Sequence, residues 1–136
     1  MARLLVIDDD ELVRASLQIL LEAAGHEIML VENGRTGVAS VKGGGLDLVI
    51  CDVFMPEMDG FETLREIRRA DPSLPVVVIS GARTERTGAP GPDFLKMAVD
   101  LGAVASLVKP LDPDEVVAVV ESCLAGARRV VRPAPS

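Results

Sequence analysis

Tryptophan and tyrosine are absent, and only three phenylalanines stand among 136 residues. The core must therefore be assembled from Val, Leu, Ile and Ala. An excess of basic charge is missing too. The formal net charge of −7 argues against direct, sequence-independent nucleic-acid binding by this domain, because phosphates attract basic surfaces. No run of about 18 consecutive apolar residues occurs, which leaves nothing to span a membrane. Cysteine is limited to Cys51 and Cys123, far apart and in apolar patterns. That usage fits reduced thiols in a cytoplasmic protein rather than a disulfide framework. The single histidine, His26, opens a strand pattern and is expected at the surface. The N-terminus enters an apolar strand at once and meets three acids, without the h-region and cleavage site of a signal peptide.

What is present is a regular alternation. A hydrophobic fraction of 49% with 26% charged residues is that of an ordinary globular chain, and the length suits one domain with a real core. Residues 4–7 are an apolar strand stopped by Asp8-Asp9-Asp10, and a helix follows with Val13, Leu17, Leu20, Leu21 and Ala24 on one face and Gly25 as its stop. Residues 27–31 form a second strand closed by Asn33-Gly34, and 35–42 a short helix ending in three glycines. Leu48-Val49-Ile50-Cys51 is a third strand that ends on Asp52 and turns through Met55-Pro56 to Asp59-Gly60. Asp59 with Glu62 three residues on predicts a capped helix over 60–70, broken at Asp71-Pro72.

Residues 75–79 form a fourth strand ending at Ser80-Gly81. The segment 81–92 is too rich in Gly and Pro for a regular element. An unusually apolar helix spans 93–101, and a fifth strand spans 104–108, ending at Lys109-Pro110. Asp112-Pro113-Asp114-Glu115 opens a last helix that buries Val116, Val120, Cys123 and Leu124 and is expected to stop at Gly126. Five strand-then-helix units with strands apolar on both faces predict an α/β fold, a five-stranded parallel sheet doubly wound by helices. The domain is placed at 1–125, with 126–136 a tail or linker.

Four strands end on groups suited to phosphate chemistry: Asp8-Asp9, Asp52, Ser80 and Lys109. Ligands of open α/β sheets sit at the carboxyl ends of their strands. A helix start needs one capping acid, which Asp10 can supply, so Asp8 and Asp9 are left over. Val6-Ile7-Asp8-Asp9, Cys51-Asp52-Val53-Phe54-Met55-Pro56 with Asp59-Gly60, Ile79-Ser80-Gly81 and Val108-Lys109-Pro110 together resemble, in order, the four motifs of receiver domains of two-component response regulators. The resemblance covers residues 3–124 or so. Each motif is short, and the ordered set is specific.

The resemblance implies the flavodoxin-like strand order 2-1-3-4-5. Strands one and three would then lie about 4.8 Å apart, crowding Asp8, Asp9 and Asp52. It implies Asp52 as phosphoacceptor, and Mg²⁺ (or Mn²⁺) held by Asp8, Asp9, Asp52 and the backbone carbonyl of Phe54. Lys109 and Ser80 would contact phosphoryl oxygens, and Lys109 would precede a cis proline. The implied partners are a sensor histidine kinase or histidine phosphotransfer protein and a downstream target or output domain. The domain would be no enzyme in the ordinary sense, but a phosphoacceptor that assists its own phosphorylation and dephosphorylation. Ser106 departs from the family's usual aromatic residue three positions before the lysine, and segment 81–92 is longer than usual. Phosphorylation is therefore expected to reorder 81–92 and the helix after it. That apolar helix either packs under the long segment or, with residues up to 125, forms a homodimer surface. Two other readings are a receiver-like binding module without phosphotransfer and a haloacid-dehalogenase-like phosphatase using Asp8 and Asp10. The second leaves Asp52 unexplained.

Overall fold

In the computed structural model, residues 2–53, 60–80, 100 and 102–131 are described. The apolar runs form the strands β1 (Arg3–Ile7), β2 (Glu27–Val31), β3 (Leu48–Asp52), β4 (Val76–Ser80) and β5 (Ala105–Val108). All neighbours pair in parallel, in the order β2-β1-β3-β4-β5. The helices are α1 (Glu11–Ala23), α2 (Gly34–Lys42), α3 (Gly60–Ala70) and α4 (Pro113–Val131). Successive side chains of a strand point to opposite faces, and the core divides accordingly. Leu5, Ile7, Val49, Cys51, Val76 and Val78 pack with α2 and α3 residues such as Val38, Val41, Leu64 and Ile67. Leu4, Val6, Leu48, Ile50, Val77 and Ile79 pack on the other face with Leu17 and Leu21 of α1 and Val116, Val120 and Leu124 of α4. Each such fully buried aliphatic side chain contributes about 1.5–3 kcal/mol by leaving water.

Local chemistry sets the ends of these elements. The side chain of Asp10 accepts a 2.9 Å bond from the Leu12 N–H and caps α1. Asn33 does the same for α2 through the Thr36 N–H at 2.9 Å. At the start of α4, Asp112 accepts from the Asp114 N–H at 3.1 Å, with Pro113 as the first helical residue. Gly25 leaves α1 at φ 96, a left-handed conformation that a side chain disfavours. Gly37 allows α2 to approach β1 closely, because a Cβ there would overlap Ile7 Cδ1 and stand 2.9 Å from Ile7 Cγ1. Ile7 is fully buried in the core of that face, so any shift that makes room disturbs its packing. Gly37→Ala is therefore expected to destabilise the fold by about 1–3 kcal/mol, read from urea melts, with Ile7→Val recovering part of the loss. A variant as stable as the parent would contradict this packing.

Several expectations need correction. Strands apolar and buried on both faces describe β3 and β4, but β2 and β5 lie at the sheet edges and are only partly buried. His26 is not a surface residue. It is 9% exposed, its Nδ1 accepts from the Ala2 N–H at 3.2 Å, and its Nε2 lies 2.6 Å from Glu121 Oε2 on α4. The Ala2 bond occupies Nδ1 as an acceptor, so Nε2 carries the proton toward Glu121. The last helix does not stop at Gly126 but runs to Val131. One glycine costs a helix about 1 kcal/mol relative to alanine, too little to end one flanked by Ala125 and Ala127. Phe54, Met55, Pro56 and Asp59, segment 81–92, the expected helix at 93–101 apart from Asp100, and residues 132–136 lie outside the described residues.

Candidate phosphoacceptor and metal site

β1 and β3 are neighbours, with Ile7 opposite Cys51, so the next residues, Asp8 and Asp52, emerge side by side at the carboxyl edge of the sheet. Asp8 is fully buried and Asp52 is 2% exposed, while Asp9 stands in solvent at the mouth of the site. Asp8, Asp9 and Asp52 each offer a carboxylate oxygen within 4.8 Å of the others. β4 places Ile79 opposite Asp52, and Ser80 follows, 3% exposed. β5 brings Lys109 alongside, its N–H donating to the Ser80 carbonyl at 2.9 Å. The bond between Lys109 and Pro110 is cis. Five of the expected site residues, Asp8, Asp9, Asp52, Ser80 and Lys109, thus meet at one edge.

The lysine ammonium bridges the two buried acids. Lys109 Nζ donates to Asp52 Oδ2 at 3.2 Å and lies 3.1 Å from Asp8 Oδ2. The second approach has ion-pair distance without hydrogen-bond geometry. Asp8 Oδ2 is therefore buried with no hydrogen-bond partner among the described residues, although the other oxygen, Oδ1, accepts from the Asp10 N–H at 2.9 Å. The Lys109 ammonium compensates that buried oxygen by charge and leaves its hydrogen-bonding capacity for a further ligand. Three oxygen donors of −1 charge around one point suit a hard divalent ion such as Mg²⁺, which binds through one or two carboxylates and keeps several waters. The residues present fit such an ion.

Burial alone would lower the pKa of Lys109, but the negative fields of Asp52 and Asp8 outweigh it and hold the ammonium above the ordinary lysine value. A group whose folded pKa is raised stabilises the fold in full below its unfolded value, about 10.4 for lysine, and loses that contribution as pH rises through the folded value. In chelator, the parent is thus expected to show an alkaline loss of stability as pH rises above about 10 that Lys109→Met lacks. Urea melts across that range check it, and identical alkaline limbs would sink it. The neighbouring Cys51 is fully buried, and burial first, then the charges of Asp52 and Asp8, push its thiol far above the usual range. It is packing, not a nucleophile.

One contact had no counterpart among the expected site residues. Arg14 Nη1, from the first turn of α1, donates to the Asp8 carbonyl at 2.7 Å. The available signal was a lone arginine four residues after the cap Asp10, hence on the same side of the helix as the acidic turn.

The sequence matches the response regulator receiver domain family over residues 4–121. It is 35% identical over 133 residues to the transcriptional regulatory protein ZraR of Escherichia coli K12, covering 98% of this chain and 29% of that protein. It is 39% identical over 132 residues to the DNA-binding transcriptional regulator NtrC of a Bradyrhizobium species, covering 96% of this chain and 26% of that protein. The chain thus spans less than a third of the length of these two relatives. Among solved structures, NtrX from Brucella abortus in complex with ATP superposes with a TM-score of 0.87 at 27% identity, over 98% of this chain and 29% of that one. The chemotaxis protein CheY4 of Vibrio cholerae gives 0.79 at 26% identity, over 90% and 98%.

Proposed function

Because the chain belongs to the receiver domains of two-component response regulators, in which a phosphorylated aspartate and Mg²⁺ are typical, we propose that Asp52 is its phosphoacceptor. The phosphoryl group would come from a phosphohistidine on a sensor histidine kinase or histidine phosphotransfer protein. The observation that carries this reading is the convergence of Asp8, Asp9 and Asp52 within 4.8 Å, with Lys109 bonded to Asp52. A carboxylate oxygen of Asp52 forms a bond to phosphorus as the phosphorus–nitrogen bond of the donor breaks, and the electron pair stays on the imidazole nitrogen. A divalent cation, Mg²⁺ or Mn²⁺, bound by Asp8, Asp9 and Asp52 supplies positive charge that offsets the phosphoryl oxygens.

The chain's own groups do the rest by position. Lys109 neutralises Asp52 before transfer and meets a phosphoryl oxygen after it, and the Ser80 hydroxyl donates to another. Those contacts differ between the two states, so they bias a conformational equilibrium and the surface a downstream partner reads. The carbonyl of Phe54, the remaining expected metal ligand, lies outside the described residues. The domain serves as a regulatory phosphoacceptor that assists its own phosphorylation and dephosphorylation. We place the domain at residues 1–125 and a tail or linker at 126–136, with α4 running from the one into the other as far as Val131, and we place the protein in the cytoplasm. Among the described residues, no helix is long and apolar enough to cross a membrane. DNA binding is named for the NtrC relative, and any such activity of a longer protein would reside outside this acidic domain. The phosphatase reading is not favoured, since Asp112 caps α4 instead of joining the acidic cluster.

Incubation with a small phosphodonor tests the proposal by intact mass. The chain is expected to gain one phosphoryl group in Mg²⁺ and none in chelator. No gain in Mg²⁺ would favour the binding-module reading.

A further inference from the structure

We propose that Arg14 is a positioning residue for the cation site, clamping the acidic turn 8–10 so that Asp8 presents to the ion the carboxylate oxygen that already faces the Lys109 ammonium at 3.1 Å. This rests on the reading of Asp8, Asp9 and Asp52 as a divalent-cation site.

Three bonds close the turn. The Asp8 carboxylate accepts from the Asp10 N–H through Oδ1 at 2.9 Å. The Asp8 carbonyl, past the end of β1, accepts from Arg14 Nη1 at 2.7 Å. The Arg14 N–H in turn donates to the Asp10 carbonyl at 3.1 Å. Arg14 therefore grips both ends of the turn, one through its side chain and one through its backbone. With Oδ1 engaged, Oδ2 is the oxygen left, buried, paired by charge with Lys109 at 3.1 Å and without a hydrogen-bond partner among the described residues. The peptide that Arg14 holds also carries Asp9, so one guanidinium sets the direction of two of the three acids. A planar guanidinium with fixed donors suits this better than a flexible ammonium.

Charge alone predicts the opposite sign. A cation in the first turn of α1 repels Mg²⁺, so removing it would tighten binding if charge were its only effect. If the clamp dominates, removal weakens binding, as loss of a group that orients metal ligands commonly does by about tenfold or more.

The test is titration of the metal-free chain with Mg²⁺ by calorimetry, and with Mn²⁺ by electron paramagnetic resonance. Parent, Arg14→Met, Arg14→Lys and Asp9→Asn are compared. Arg14→Met is expected to bind about tenfold more weakly, and Arg14→Lys to lose less. Without metal, the Asp10 amide should exchange faster in Arg14→Met than in the parent. In phosphorylation by a small donor, the Mg²⁺ concentration for half-maximal rate should rise while the rate at saturation is retained. A merely structural arginine would lower the melting temperature without moving that half-saturation. Equal or tighter Mg²⁺ affinity in Arg14→Met, or unchanged Asp10 exchange, overturns the inference. Should Arg14→Met not fold, Arg14→Lys carries the same test with a smaller loss, and unchanged affinity there overturns it. If the parent binds no Mg²⁺, or Asp9→Asn binds as the parent does, the cation site itself is wrong and the inference falls with it. If the parent binds and Asp9→Asn does not, a failure belongs to Arg14 alone.

Discussion

Asp52→Asn is expected to abolish phosphorylation by a small phosphodonor in saturating Mg²⁺, leaving no phosphorylated species in intact mass spectra. The substitution keeps the shape of the side chain but replaces the nucleophilic carboxylate with an amide, whose oxygen is a poor nucleophile at phosphorus. It also removes one negative donor from a set whose oxygens lie within 4.8 Å. The fold should survive. Asp52 ends β3 on a backbone ladder that the amide leaves intact, with the Val53 N–H bonded to the Ile79 carbonyl at 3.0 Å. The variant also relieves repulsion between two buried carboxylates. Residual phosphorylation at the parent rate would mean that another acid is the acceptor, and the exposed Asp9 would be the first to examine.

Lys109→Met should produce the second large effect, on stability and on metal dependence together. In the metal-free state the ammonium is the cation that compensates buried Asp8 and Asp52. Breaking a buried ion pair by removing one partner costs about 3–5 kcal/mol. The lysine side chain keeps 21% of its exposure, so water reaches the gap and a loss of about 2–3 kcal/mol is the better expectation. Mg²⁺ can take over the same compensation, so adding it should raise the melting temperature of Lys109→Met more than that of the parent, as linkage to binding requires. Chemical denaturation with and without chelator checks both halves. A variant as stable as the parent in chelator would show that Lys109 does not hold the acidic pair together.

Much of the site was legible because the strands announce it. A buried apolar strand has little reason to end on a carboxylate, a hydroxyl or a lysine, and Asp8, Asp52, Ser80 and Lys109 each stand just there. Asp10 was readable as the cap, which freed Asp8 and Asp9 for other chemistry. The strand order came with the family resemblance rather than from any pattern of residues. What escaped was long-range or marginal. His26 looked like a surface residue because the group that buries it, Glu121, lies 95 residues away on α4. α4 runs past Gly126 because a glycine inside a helix carries only a small penalty, while in the sequence it looks like a stop. The partial exposure of β2 and β5 follows from their edge positions, which their composition does not reveal. Arg14 has only its spacing from Asp10 as a signal, because a side chain bonding a backbone carbonyl leaves no motif in the sequence.

The central claim is that Asp52 takes a phosphoryl group with the help of a cation held by Asp8 and Asp9. Borohydride reduces an acyl phosphate to the alcohol, so it converts a phosphorylated aspartate to homoserine and marks the position permanently. After incubation with a small phosphodonor and Mg²⁺, followed by borohydride and peptide mapping, homoserine is expected at position 52 alone and nowhere when chelator replaces Mg²⁺. Homoserine at position 8 or 9, or an unmodified Asp52 in Mg²⁺, would contradict the account.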